Sequence, residues 1–254
     1  MTQTHLGYDT FGKGSHRVLA LHGWFGDQTT FAPCHDALSP DEFTYVSPAY
    51  RGYGASRDLP GPFTIEQIAR DVLALADRLG WESFSLVGHS MGGKAVQRIL
   101  ADAPKRVQKI VAVAPVPASG AGLDAQTYGA FEQAVANPQV AEFIVNLSTG
   151  NRLSKRWVQK IASYPKQAAR DEAFAGYLPS WAKGDFHAEI EGNPVPILVA
   201  VGAFDLAITE AVMRDTYLRW YPNAELAVIA NAGHYPMNET PVAFATLVEE
   251  FLRR

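Results

Sequence analysis

Gly88-His89-Ser90-Met91-Gly92, preceded by the run Phe84-Ser85-Leu86-Val87, is the stretch on which the reading of this chain turns. It sets a serine between two glycines, where a short strand signal gives way to a helical one. A serine that must stand clear of its own backbone needs a sharp strand-to-helix turn, and such a turn strains the serine toward positive φ. The positions two before and two after it are crowded and must be nearly free of side chain. Gly88 and Gly92 meet that demand, and Gly93 gives the following helix room to approach the strand.

On either side of this turn, short apolar runs alternate with amphipathic helical stretches, which marks a mostly parallel, doubly wound α/β sheet. Gly7 to Phe11 reads as an edge strand, and Arg17 to Leu21 as a buried strand ending at His22-Gly23. Thr30 to Leu38 reads as a short helix and Phe43 to Ser47 as the next strand. Thr64 to Leu79 carries apolar residues at helical spacing, with Thr64 as N-cap and Gly80 as the stop. Met91 to Ala101 is the helix after the serine, and Val107 to Val113 a further buried strand.

From about residue 115 to residue 194 the alternation stops. Helical patches at 124–135, 140–147, 154–163 and 166–175 carry aromatic residues among them, and no strand-like run intervenes. Strand–helix alternation returns with 196–201, 210–220, 225–229 and 242–252. The expected organisation is a core of residues 1–114 and 195–254 interrupted by a small helical cap, residues 115–194.

Composition narrows the function classes. The 254 residues suffice for a sizeable core, and 47% hydrophobic with 19% charged residues is ordinary for a soluble globular chain. A net charge of -4 without a lysine- or arginine-rich run argues against a nucleic-acid partner. The single cysteine, Cys34, excludes an intrachain disulfide and a cysteine-based metal site. No run approaches the length of a membrane span. Met1 to Leu6 lack the basic and apolar regions of a secretory signal, so a cytoplasmic protein is expected. No metal or cofactor is expected, and the oligomeric state is left open.

A serine hydroxyl is a weak nucleophile and needs a base, normally a histidine held by a carboxylate. On a parallel sheet those partners belong just past the C-terminal ends of other strands. Asp205, in Gly202-Ala203-Phe204-Asp205, follows one strand, and His234, in Asn231-Ala232-Gly233-His234-Tyr235-Pro236, follows the next. The oxyanion of a tetrahedral intermediate needs two N–H donors. Met91, at the helix N-terminus, supplies one, and Trp24, in His22-Gly23-Trp24-Phe25-Gly26, the other.

With these segments assembled, the chain resembles the α/β-hydrolase fold superfamily, and within it a serine carboxylesterase-like member with a helical cap. The resemblance rests on His22-Gly23, Arg51-Gly52-Tyr53-Gly54-Ala55-Ser56, the Gly88–Gly93 turn, the Asp205 loop and Ala232-Gly233-His234, in family order. It covers nearly the whole chain. The insertion falls where the family carries its cap, between its sixth and seventh strands. The short N-terminus leaves room for one strand where the family often has two.

Other residues have simpler roles. His22 and His89 are expected to brace loops, and His5, His16, His35 and His187 to lie at the surface. Asp27 reads as a turn or cap residue, Glu239 as a cap of the last helix in preference to a hydrogen-bond partner near His234, and Lys94 as solvent-facing or ion-paired. Asp124 lies too far into the insertion to replace Asp205. The loops carry no cationic clamp for an anionic substrate, although Arg51 could approach the site. Phe25, Trp157, Trp181 and Tyr235 are the expected pocket walls.

The expected activity is hydrolysis of a small or medium carboxylic ester through an acyl-enzyme on Ser90. A carbon–carbon bond hydrolase of a diketo acid, a cofactor-free perhydrolase or haloperoxidase, and a ligand receptor use the same fold, so fold alone does not separate them.

Overall fold

The computed structural model describes residues 4–254; Met1 to Gln3, part of the stretch read for a targeting signal, lie outside the described residues. The strands are β1 (Tyr8–Gly12), β2 (His16–Leu21), β3 (Phe43–Pro48), β4 (Phe84–His89), β5 (Val107–Val113), β6 (Ile197–Gly202) and β7 (Ala224–Ile229). They form one seven-stranded sheet in the order β1-β3-β2-β4-β5-β6-β7. β1 is antiparallel to β3, and every other neighbouring pair is parallel. β4 and β6 are buried along their whole length, the condition under which a strand reads as a continuous apolar run.

α1 (Ile65–Arg78) follows from its sequence directly. Thr64 Oγ1 accepts the Gln67 amide at 3.2 Å, capping the first turn, and Gly80 at φ 68° ends the helix. Ile65, Ile68, Val72 and Leu75 are buried, each contributing roughly 1.5–3 kcal/mol on transfer from water. α1 packs on α2 (Met91–Asp102), the helix that leaves the Ser90 turn.

Between β5 and β6 the chain forms α3 (Ala125–Ala134), α4 (Pro138–Ser148), α5 (Lys155–Ala168) and α6 (Asp171–Lys183) and adds no strand to the sheet. The expected helix boundary near Lys166 is wrong: α5 runs through Pro165 and Lys166. It breaks where Ala169, extended at φ -114° and ψ 162°, forms a bridge with Tyr53. The helix expected over 210–220 is likewise two, α7 (Glu210–Asp215) and α8 (Tyr217–Trp220), parted at Thr216 with φ -121° and ψ -88°. The segment after Thr30 is a 3₁₀ helix, Ala32–Ala37. α9 (Pro236–Glu239) and α10 (Pro241–Arg253) complete the chain.

The loops that follow β2 and β3 are tied together by His22. Its Nδ1 hydrogen-bonds Gly23 O at 2.8 Å, its Nε2 accepts the Tyr50 amide at 3.3 Å, and its ring stacks on Tyr50 at 3.8 Å. Complete burial pushes the imidazole pKa down to about 4, so it works as a neutral brace.

Two outcomes follow for stability. A Cβ on Gly92 would lie 2.4 Å from Leu21 O and 2.7 Å from His22 O, both backbone atoms. Gly92→Ala is therefore expected to lower the unfolding free energy measured by urea titration by about 1–3 kcal/mol; an unchanged free energy contradicts this packing. His22 has a folded pKa below its unfolded 6.5, so the unfolded chain takes up the proton first. The stability tied to its neutral form is complete above pH 6.5 and is lost as pH falls toward about 4. Denaturant titrations should show this loss, and His22→Gln should show a shallower one.

Candidate active site

Ser90 sits between β4 and α2 at φ 54° and ψ -115°, the strained conformation expected of it. Its backbone is held on both sides: the amide donates to Val113 O at 2.9 Å, and the carbonyl accepts from Val116 at 3.0 Å and Lys94 at 3.3 Å. Gly88 and Gly92 make the turn possible, since a Cβ on Gly88 would lie 2.5 Å from Gly92 O. The Ser90 side chain takes no part in capping α2.

Asp205 lies in the loop after β6 and His234 in the loop after β7, each where its strand ends. His234 Nδ1 donates to Asp205 Oδ2 at 2.6 Å, which leaves Nε2 as the free acceptor of the ring. An aspartate in such a loop can serve as a turn residue or as the partner of a histidine. Its two oxygens divide them, because Oδ1 accepts the amides of Ala207 at 2.9 Å and Ile208 at 3.0 Å. The carboxylate is fully buried, and its loop donors fix the orientation in which it meets the imidazole. Among the described residues the Ser90 hydroxyl makes no hydrogen bond to His234. Contacts of this kind are often long until a substrate occupies the site.

Trp24 and Met91 flank Ser90, and neither backbone amide has an acceptor among the described residues. The Trp24 backbone is held in place from three directions. Its indole N–H donates to Phe174 O at 2.7 Å, its ring stacks on Phe174 at 3.7 Å, and its carbonyl accepts from Tyr53 Oη at 3.1 Å. Tyr53 belongs to the Arg51–Ser56 segment, which thus positions the loop after β2.

Ser90 and His234 line one cavity of about 640 Å³, within the range usual for small-molecule sites. Its roof comes from α3, α4 and α6 through Phe131, Phe143, Ile144, Leu147 and Trp181. Phe25, Trp181 and Tyr235 line it, and among the described residues no lysine or arginine does. Trp157 does not line it; its ring meets Tyr235 edge-on at 5.6 Å, one layer behind the wall. Asp124 reaches the rim of the cavity, yet its carboxylate caps α3 by accepting the Thr127 amide at 2.7 Å.

Several secondary assignments need correction. Arg51 does not approach the site, because Asp71 holds its guanidinium by two hydrogen bonds of 2.6 and 2.9 Å. Lys94 is fully buried, not solvent-facing, and has no ion pair among the described residues. Its ammonium donates to the Trp181 carbonyl at 3.0 Å and to that of Gly184, and burial draws its pKa down to about 8. Glu239 is no cap of the last helix. Its Oε2 accepts Gly233 N at 2.8 Å and its Oε1 accepts Tyr235 N at 3.0 Å, gripping the amides on either side of His234. The one signal for this in the sequence was a carboxylate five residues after the histidine.

His89 and Asp27 behave as braces. His89 Nε2 donates to His234 O at 2.8 Å, and burial keeps its ring neutral. Asp27 Oδ1 accepts the Thr29 amide at 2.7 Å, closing a turn. Among the described residues no group of three or more His, Cys, Asp or Glu is arranged to hold a metal, and no helix is long and apolar enough to cross a membrane.

The chain as a whole has relatives among known proteins. The chain is 25% identical over 261 residues to 3-oxoadipate enol-lactonase 2 of Acinetobacter baylyi, covering 98% of this chain and 93% of that one. It is 25% identical over 259 residues to the pimeloyl-[acyl-carrier protein] methyl ester esterase of Serratia marcescens, covering 98% of each. Among solved structures it is similar to the enol-lactonase of Burkholderia xenovorans, with a TM-score of 0.85, 25% identity and coverage of 98% and 96%. Residues 16–241 match the family model described as alpha/beta hydrolase fold, and the chain belongs to that family of enzymes.

Proposed function

We propose that the protein is a serine hydrolase that cleaves a small or medium carboxylic ester, open-chain or lactone, through an acyl-enzyme on Ser90. The observation that carries this reading is the 2.6 Å bond from His234 Nδ1 to Asp205, with Ser90 and His234 in the wall of one cavity. Ser90 Oγ attacks the acyl carbonyl while His234 Nε2 takes its proton. The same imidazolium then protonates the leaving alcohol. Asp205 holds the tautomer that leaves Nε2 basic and stabilises the imidazolium once it forms. The amides of Trp24 and Met91 receive the oxyanion, each such donor being worth on the order of 3 kcal/mol in comparable sites. Water, activated by His234, then releases the acid and restores Ser90.

The substrate class follows from the lining. An apolar cavity without a cation suits an uncharged ester whose acyl or alcohol part is hydrocarbon. The same lining disfavours a carbon–carbon bond hydrolase, which needs positive groups to polarise a diketo acid. Peroxide chemistry uses the same residues, and no feature of this cavity favours it over water. A receptor would not need the strained serine and the oriented imidazole together. Residues 115–194 act in this reading as the cap that shields the acyl-enzyme and selects the chain length.

Three outcomes test it. Ser90→Ala should abolish turnover of p-nitrophenyl butyrate; wild-type turnover in that variant would remove Ser90 as nucleophile. Asp205→Asn keeps an acceptor for the Ala207 and Ile208 amides but forces the wrong imidazole tautomer. Its kcat should fall by about 10⁴-fold with a nearly unchanged melting temperature, whereas near-normal turnover would point to another acid. Across p-nitrophenyl acetate, butyrate and octanoate, kcat/KM should rise with chain length, and Trp181→Ala should shift the preference. A flat series unaffected by that change would contradict the assignment of the cavity.

A further inference from the structure

The loop that carries His234 is held by the helical insertion as well as by the sheet. Three successive amides surround the base, and all three are occupied. Gly233 N and Tyr235 N donate to Glu239 at 2.8 and 3.0 Å, and His234 N donates to Ser148 O, the last residue of α4, at 3.0 Å. The approach is so close that a Cβ on Gly233 would lie 2.7 Å from Thr149 Cα.

Arg152, in the connection from α4 to α5, closes this arrangement. Its Nη1 meets Glu239 Oε2 at 3.0 Å and Thr149 O at 3.2 Å, and its Nη2 donates to Asn231 O at 2.8 Å. Its guanidinium lies 4.1 Å over the ring of Phe204, the residue before Asp205. Phe204 N in turn donates to Ala232 O at 2.9 Å, joining the loop of the acid to the loop of the base. One side chain from the insertion thus touches both loops and neutralises a carboxylate whose side chain is only 2% exposed. A planar fork with several donors suits this task; a lysine would supply the charge but not the simultaneous contacts.

The geometry points to Arg152 as a positioning residue: through Glu239, Asn231 and Phe204 it holds the His234 loop in register with Asp205, so that the insertion helps to assemble the base. This rests on the serine-hydrolase reading for its kinetic consequence, but the positioning itself is readable without turnover. Ordering a base by a few tenths of an ångström is the kind of contribution that appears in kcat, since misplacement by about 1 Å can cost 10²-fold.

The test compares Arg152→Ala, Arg152→Gln and Arg152→Lys with the wild-type protein and with Arg156→Ala, a control arginine on the exposed side of α5. Two readouts are taken. One is the low-field proton resonance of the His234 Nδ1–H bonded to Asp205, with Asp205→Asn as the assignment control. The other is kcat and KM for p-nitrophenyl butyrate, normalised to sites titrated with an alkyl phosphonate. Arg152→Ala and Arg152→Gln should broaden or lose the resonance and lower kcat per titrated site about tenfold or more, with KM within about twofold. Arg152→Lys should recover part of both, and Arg156→Ala should match wild type.

The inference is overturned if the resonance and the kcat per site survive in both Arg152→Ala and Arg152→Gln, or if the loss is wholly a loss of titratable sites. Should Arg152→Ala fail to fold, the Gln and Lys variants decide the question in the same way. A wild-type protein that shows the resonance but neither turns over esters nor reacts with phosphonate would overturn the hydrolase reading instead. The resonance in the variants would still decide the role of Arg152.

Discussion

A van der Waals constraint at one turn underlies the arrangement of the whole site. Gly92 brings α2 so close to the end of β2 that its missing Cβ would overlap two backbone carbonyls, Leu21 O and His22 O. That approach sets the serine between β4 and α2 next to the loop after β2, where the Trp24 amide has no acceptor among the described residues. It also requires Ser90 to adopt φ 54°, a conformation that costs on the order of 1–3 kcal/mol for a non-glycine residue. The hydrogen bond from the Ser90 amide to Val113 O and those from the Val116 and Lys94 amides to Ser90 O hold the strained backbone, and the surrounding core is too densely packed to relax it.

The sheet order then supplies the remaining groups. β6 and β7 lie next to each other beyond β5, so the loops that follow them emerge side by side. Asp205 and His234 meet for that reason, and the acid's second oxygen is spent on its own loop rather than on solvent. The insertion enters between β5 and β6, above the same edge, and contributes both the apolar roof of the cavity and the contacts of Ser148 and Arg152 with the base loop. Part of that roof, Phe143, Ile144 and Leu147, lies on α4, the helix whose end also supplies Ser148 to the His234 loop. A movement that opened the cavity there would also disturb the base.

Much of the fold was legible because its signals are local. Glycine spacing around Ser90, the apolar period of α1 and the strand–helix alternation each depend on a few neighbouring residues, and family membership agrees with them. Local signals also explain the errors. The boundary between the patches 154–163 and 166–175 falls too early, because α5 tolerates Pro165 and Lys166 and its break is fixed by a bridge from Ala169 to Tyr53, over a hundred residues away. Lys94 was misread because a lysine one turn into a helix ordinarily reaches water, and here two carbonyls from the end of α6 cover it. Glu239 and Arg152 were missed as a pair because their partners are backbone amides and carbonyls, which no side-chain motif encodes. Trp157 carried the right chemistry but stands behind Tyr235, and depth within a layer is not written in spacing.

The central claim is that an acyl group passes through Ser90. Rapid mixing with p-nitrophenyl butyrate, an acid quench within the first turnovers and mass analysis of the digested protein test it directly. The account predicts one butyryl group on the peptide that contains Ser90, formed with the burst of p-nitrophenol and lost at the rate of steady-state turnover. A burst with the acyl group on another residue, or turnover in which the acyl group never resides on Ser90, would contradict it.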